Sequence, residues 1–165
     1  MPLEPGRYLC VRTKAFAGFL VRLATRSPYD HCGLIGDDGT LIEATPRRGV
    51  HVSPLSTYTG CLAAANVAEL MTPAQREAVL AAAGRYLGEG YNWPAIGWDA
   101  LAELGWHWRL LLRVCGAGKR LICSQLVAQA GADAGLTTWL CGKESAAAVR
   151  PADLARRPGV KPVEI

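Results

Sequence analysis

Apolar and polar positions alternate in short runs over the first third of the chain and then shift to a helical period. That change predicts a small sheet followed by helices. Arg7–Val11 reads as a short strand. A helix opening at Thr13 follows, with Phe16, Phe19, Leu20 and Leu23 at i, i+3, i+4 and i+7 on one face. Ser27-Pro28 ends it, because a residue before proline resists the α region. His31–Gly36 and Thr40–Thr45 read as strands around a turn at Asp37-Asp38-Gly39, and Gly49–Val52 continues the antiparallel sheet. Cys61–Leu70 is a weaker strand signal, since alanines carry little β preference.

Thr72-Pro73-Ala74-Gln75 has the form of a capping box with proline at the first helical position. Its helix is predicted to run to about Leu87 and to stop at Gly88. Tyr91-Asn92-Trp93-Pro94 reads as a loop, followed by a Trp-rich helical pair hinged near Gly105. Gly116-Ala117-Gly118 breaks the chain before LICSQLVAQAGADAG, where Cys123, Leu126, Val127, Ala130 and Ala134 share a helical stripe. The expectation is one α+β domain over residues 1–165, an antiparallel sheet packed against helices.

Composition narrows the functional classes. Half the residues are hydrophobic and 19% are charged, which suits a folded core rather than a disordered chain. The net charge of +4 is spread along the sequence, apart from a modest cluster at Arg150, Arg156, Arg157 and Lys161. No basic helix or aromatic-interleaved stripe marks a nucleic-acid binder. No apolar run is long enough for a membrane span: Arg22 interrupts one candidate, and Asp99, Glu103, His107, Arg109 and Arg113 interrupt the other. No secretory signal is visible at the N-terminus, so a cytoplasmic protein with reduced thiols is expected, with export by another route left open. The six cysteines form no C-x-x-C pair, and no metal or other cofactor is called for.

Candidate chemistry centres on three residues. Cys123 opens a helix, where unpaired N–H groups and the helix dipole stabilise a thiolate and can hold an oxyanion. A three-residue hairpin loop pairs Gly36 with Thr40 and Gly33 with Glu43, and sets His31 and Glu43 on one face as diagonal neighbours. Leu34 and Ile42 then point to the opposite, core-packing face. A two-residue loop would turn Glu43 away from His31. Nucleophile, base and orienting carboxylate are thus all available, in Cys123, His31 and Glu43.

The run YDHCGLIGDDGTLIEATPRRGVHVSPLSTY, followed about 90 residues after His31 by LICSQLVAQAGADAG, resembles the circularly permuted NlpC-type papain-like proteins, the YiiX-like branch in particular. In that group a strand histidine comes first, a polar or acidic residue follows on the next strand, and the cysteine opens a later helix. Gly49-Val50, Pro54-Leu55, the capped helix, the turn ending at Tyr91 and Pro151-Ala152-Asp153-Leu154 are also similar, so the resemblance spans nearly the whole chain. It implies a papain-like fold and a cysteine hydrolase, a peptidase or amidase acting on peptides, cell-wall peptides or acyl-lipid linkages through a thioester on Cys123. Tyr29, Tyr91 and Ser124 are candidate substrate or oxyanion contacts.

Two departures stand out. Cys32 occupies a position that usually holds a small apolar residue, a harmless change on the strand face opposite His31. The insert carrying Trp93, Trp98, Trp106 and Trp108 is long, and is either core, a lid, or a peripheral membrane contact assisted by Arg109 and Arg113. Competing readings are a catalytically silent binding module of the same fold, a lipid acyltransferase or deacylase, and a metal-binding protein using His31, Cys32 and other thiols. The last needs ligands that strand alternation points in opposite directions.

Overall fold

The computed structural model describes residues 3–92 and 120–165. The predicted Trp-rich helical pair, its hinge at Gly105 and the break at Gly116-Ala117-Gly118 lie outside the described residues.

Six antiparallel strands form the main sheet: β1 (Tyr8–Val11), β2 (His31–Ile35), β3 (Thr40–Thr45), β4 (Gly49–Pro54), β5 (Ala63–Ala65) and β8 (Lys161–Val163). Their order is β4-β3-β2-β1-β5-β8. Two short strands, β6 (Gly90–Tyr91) and β7 (Arg120–Leu121), pair in parallel. Among the described residues the helices are α1 (Phe16–Thr25), α2 (Pro73–Gly84), α3 (Cys123–Asp133) and α4 (Pro151–Ala155).

The β2–β3 hairpin has the register that positions the site. Gly33 pairs with Glu43, Leu34 with Ile42 and Ile35 with Leu41. The tight turn is made by Asp38 and Gly39, both at positive φ, and the Thr40 N–H donates to the Asp37 carbonyl at 3.1 Å. Two left-handed central residues make this a hairpin turn whose twist matches the strands. Asp37 is the added residue that lengthens the loop from two to three and keeps Glu43 on the face of His31.

Each face of the sheet has its own core. One gathers Tyr8, Cys10, Cys32, Leu34, Ile42, Ala44 and Val50 under α2 and α3. The other gathers Leu9, Val11, Ile35, Leu41, Ala63, Ala65 and Val67, with Leu55 and Tyr58 against it. The predicted stripe on α3 is too narrow: Ser124, Gln125, Ala128 and Gly131 are buried as well. The sheet, α2 and short 3₁₀ turns at Thr137–Leu140 and Ala146–Ala148 all pack against this helix, so small residues occupy most of its circumference.

Other boundaries shift for local reasons. The Thr72 capping box forms, with the Thr72 hydroxyl accepting from the Gln75 N–H at 3.2 Å, and α2 gives way to turns before the Gly88 stop. Of the predicted Cys61–Leu70 strand only Ala63–Ala65 pairs, and Leu62 and Leu70 are exposed. In α1, Phe19 and Leu23 of the apolar face are exposed. The C-terminal basic cluster is partly structural: Arg157 pairs with Glu69 at 2.9 Å and Arg150 with Asp153 at 3.4 Å.

Candidate active site

Asp30 fixes the start of β2. It accepts from the Thr13 N–H at 2.9 Å, and it also binds the Thr13 hydroxyl and the Arg22 guanidinium. The next residue, His31, is buried, and its Nε2–H donates to Glu43 Oε2 at 2.5 Å. A carboxylate can only accept here, so the contact fixes the ring tautomer and leaves Nδ1 for another partner.

Glu43 is itself held on both oxygens. The Ser53 hydroxyl donates to Oε1 at 2.5 Å, and the Tyr58 hydroxyl donates to Oε2 at 2.6 Å. Register explains Ser53 and His51: β4 pairs Leu41 with Ser53 and Glu43 with His51, which puts both side chains on the Glu43 face. His51 Nε2 lies 3.7 Å from Oε1, and the Tyr58 ring stacks on His31 with centroids 5.9 Å apart. Burial works against the Glu43 charge, yet the His31, Ser53 and Tyr58 hydrogen bonds outweigh it and lower its pKa to about 2.

Cys123 is the first residue of α3 and is only 5% exposed. The helix start is anchored by Gln125, whose Oε1 accepts from the Ile122 N–H at 3.2 Å and whose Nε2 donates to the Ala147 carbonyl at 3.2 Å. Since α3 lies on the Leu34–Ile42 face, Cys123 approaches from the side opposite the one bearing His31 and Glu43. The residues meet because His31 is the first residue of β2, where its ring hydrogen-bonds with the sulfur at the strand end.

Cys32 is the neighbour that sequence reasoning set aside. It does point away from His31, but that direction is toward α3, and its side chain hydrogen-bonds with Cys123. The β2–β3 ladder stops at Gly33–Glu43, and the Cys32 backbone N–H hydrogen-bonds to Cys123 as well. The Cys32 thiol lowers the Cys123 pKa most; burial opposes it, and the His31 charge and hydrogen bond add to the lowering, which leaves it well below the ordinary thiol value. For His31, burial disfavours the imidazolium, but Cys123 and then Glu43 override it and raise the pKa to about 10. The favoured pair is a thiolate beside an imidazolium.

Cys123, His31 and Glu43 are thus brought together. Ser124 is not part of the opening: it is fully buried and its hydroxyl donates to the Val149 carbonyl at 2.6 Å, so it locks α3 rather than facing a substrate. Tyr29 is half-buried against the helix-side core, next to Asp30. Tyr91 pairs in register with Leu121, two residues before Cys123, and is half-buried. Ser53 and Tyr58 are the Glu43 neighbours that the sequence reading does not single out. Ser53 was accessible by extending the hairpin register one strand further; Tyr58 lies in a 3₁₀ turn that no periodicity announces.

No protein-family model matches the chain, and no curated protein matches it. Among solved structures it is similar to metalloprotein YiiX from Escherichia coli O157:H7, DUF1105. That likeness has a TM-score of 0.64 at 18% identity and covers 97% of this chain and 96% of that one. The molecule therefore has a YiiX-like mixed α+β fold.

Proposed function

We propose that this protein is a cysteine hydrolase of the permuted NlpC-type papain-like kind, with Cys123 as nucleophile, His31 as general acid and base, and Glu43 as the residue that orients His31. The observation that carries the reading is the buried relay itself. A helix-opening thiol lies against a histidine whose Nε2 is held at 2.5 Å by a carboxylate, and two hydroxyls fix that carboxylate in turn. A structural carboxylate needs no such apposition to a thiolate.

In this mechanism the Cys123 thiolate attacks an acyl carbon, and the charge developing on the acyl oxygen is met by N–H groups at the start of α3. The His31 imidazolium protonates the leaving amine or alcohol as the thioester forms. Neutral His31 then takes a proton from water, hydroxide attacks the thioester, and the acid departs with Cys123 restored. Glu43 keeps one tautomer and one ring orientation through both halves. Peptide, cell-wall peptide and acyl-lipid linkages share this chemistry, and transfer to an acceptor other than water uses the same thioester.

YiiX is called a metalloprotein, but the described residues here do not fit a metal. Among the described residues no group of three or more His, Cys, Asp or Glu is arranged to hold an ion. The Glu43 oxygens are already taken by His31, Ser53 and Tyr58. No step is routed through a metal.

The test is trapping. A panel of activated acyl esters and amides is offered to the native protein and read by intact mass followed by peptide mapping. The reading predicts an acyl adduct on Cys123 that hydrolyses with time and is absent from Cys123→Ala and His31→Ala. Acylation spread evenly over the cysteines would overturn it.

A further inference from the structure

The mechanism uses one thiol of a cluster of three. Cys10 and Cys32 are directly opposed on β1 and β2, and both share the buried core beneath α3 with Cys123. Their pairing falls at a narrow, non-hydrogen-bonded position of the ladder, since the neighbouring Val11 carbonyl accepts from Asp30 and the Arg7 carbonyl from Ile35. Cys32 lies between the other two: it is paired with Cys10 across the ladder, and it faces α3 in the core that holds Cys123, whose thiol it influences most. All three are free thiols. No step of the acyl transfer makes or breaks a bond to Cys10 or Cys32, and stabilising a thiolate needs a hydrogen-bond donor but not a second sulfur, yet the sheet sets a thiol against the nucleophile.

We infer that Cys32 is the resolving thiol of Cys123, so that peroxide converts the nucleophile reversibly into a Cys32–Cys123 disulfide instead of destroying it. The inference rests on the Cys123 nucleophile proposed above. In the first step the Cys123 thiolate attacks the O–O bond of a hydroperoxide. The sulfur becomes a sulfenic acid, and the departing hydroxide or alkoxide takes a proton from the His31 imidazolium. In the second step the Cys32 sulfur attacks the sulfenic sulfur. The S–O bond breaks, and the Cys32 proton leaves with the hydroxyl as water. Two thiols are oxidised and one peroxide is reduced. A dithiol reductant reverses the change by exchange through a mixed disulfide.

The same contact explains why Cys32 serves both states. Burial first, and then hydrogen bonds with Cys10 and Cys123, keep Cys32 as a protonated thiol. In the reduced protein it therefore donates to the Cys123 thiolate; once Cys123 is a neutral sulfenic acid, that donor role ends and the sulfur is in place to attack. Cys61 lies outside this cluster and Cys141 packs only at the edge of the core that holds it; both are half-buried and serve as internal controls.

The experiment treats the full chain with hydrogen peroxide, blocks the remaining thiols and maps the non-reduced peptides. Trypsin with chymotrypsin separates Cys123 from Cys141 at Trp139. A Cys32–Cys123 crosslinked peptide, with alkylation of Cys123 restored by dithiothreitol, is the expected result. In Cys32→Ala the same treatment takes Cys123 on to sulfinic acid, and less than about a tenth of its reactivity returns on reduction. Cys10→Ala, which leaves the partner in place, still forms the crosslink. A Cys10–Cys32 crosslink in its place, sulfinic acid on Cys123 in the native protein, or a Cys123 untouched by peroxide would overturn the inference. Fast alkylation of Cys123 in the same untreated sample would then leave the hydrolase reading standing, whereas slow alkylation would remove that reading separately.

Discussion

At the scale of single residues the site is a charge arrangement that depends on hydrogen bonds made in a fixed order. Tyr58 and Ser53 hold Glu43, Glu43 holds His31, and His31 with Cys32 holds the Cys123 thiolate. Tyr58→Phe removes one donor from a buried carboxylate while leaving the nucleophile and base in place. It is expected to destabilise the protein by about 1.5–3 kcal/mol in urea unfolding at neutral pH, and to raise the Glu43 pKa. Glu43→Ala frees the ring and is expected to lower acyl turnover by on the order of 10² or more, with little change in how substrate binds. The pH profile follows from the two shifts. The proposed mechanism needs Cys123 ionised and His31 protonated, so acyl turnover is expected to fall as pH drops through the depressed thiol value and again as pH rises through about 10. A plateau through neutrality is the expected profile of kcat/KM; a profile that rises from pH 7 to 9 like a free thiol would contradict it.

At the scale of elements, α3 must lie close to its neighbours for Cys123 to reach the end of β2. A side-chain carbon added at Gly131 would sit 2.3 Å from the Trp139 ring, whereas one added at Gly84 meets nothing within 4 Å. Gly131→Ala is therefore expected to cost about 1–3 kcal/mol through overpacking, and Gly84→Ala, at the exposed end of α2, to gain about 0.4–1 kcal/mol. Denaturant midpoints for the two variants, made in parallel, check both signs. The elements also show what the sequence made legible. Asp37-Asp38-Gly39 dictated both the turn and the register, so the His31–Glu43 face followed from counting residues. The cap at Thr72 was equally local. The direction from which α3 arrives was not legible, because an apolar helix stripe says that it packs on a sheet and not on which face. The significance of Cys32 was lost with it: the parity of β2 was read correctly, but the face occupied by the helix is a tertiary fact. The strand β8 was also missed, since Lys161–Val163 is too short and polar to stand out until β5 offers it an edge.

Across the whole molecule, both ends of the chain close on one another. Trp139 is fully buried and packs edge-on against Tyr8 of β1 with centroids 4.9 Å apart, and the Tyr8 hydroxyl donates to the Leu154 carbonyl at 3.1 Å. Arg157 joins Glu69 to Tyr8 at the same point. Trp139→Ala is expected to destabilise by about 3–5 kcal/mol. Stability as a whole should also carry the signature of the site. Glu43 has a folded pKa lowered from 4.5 to about 2, so its contribution is fully present above about 4.5 and is lost as pH falls toward 2. His31 is raised from 6.5 to about 10, so its contribution is present below about 6.5 and is lost as pH rises through 10. Urea midpoints measured across pH should therefore fall at both extremes, and His31→Ala should flatten the alkaline limb. Among the described residues no helix is long and apolar enough to cross a membrane.

The most direct test of the central claim is the rate at which iodoacetamide alkylates each cysteine between about pH 5 and pH 9, resolved by peptide mass spectrometry in the native protein and in His31→Ala. The account predicts that Cys123 reacts far faster than Cys61 and Cys141 at the acid end of that range, and that replacing His31 slows it toward their rates. A Cys123 that reacts no faster than those two, and is indifferent to His31, would contradict the account.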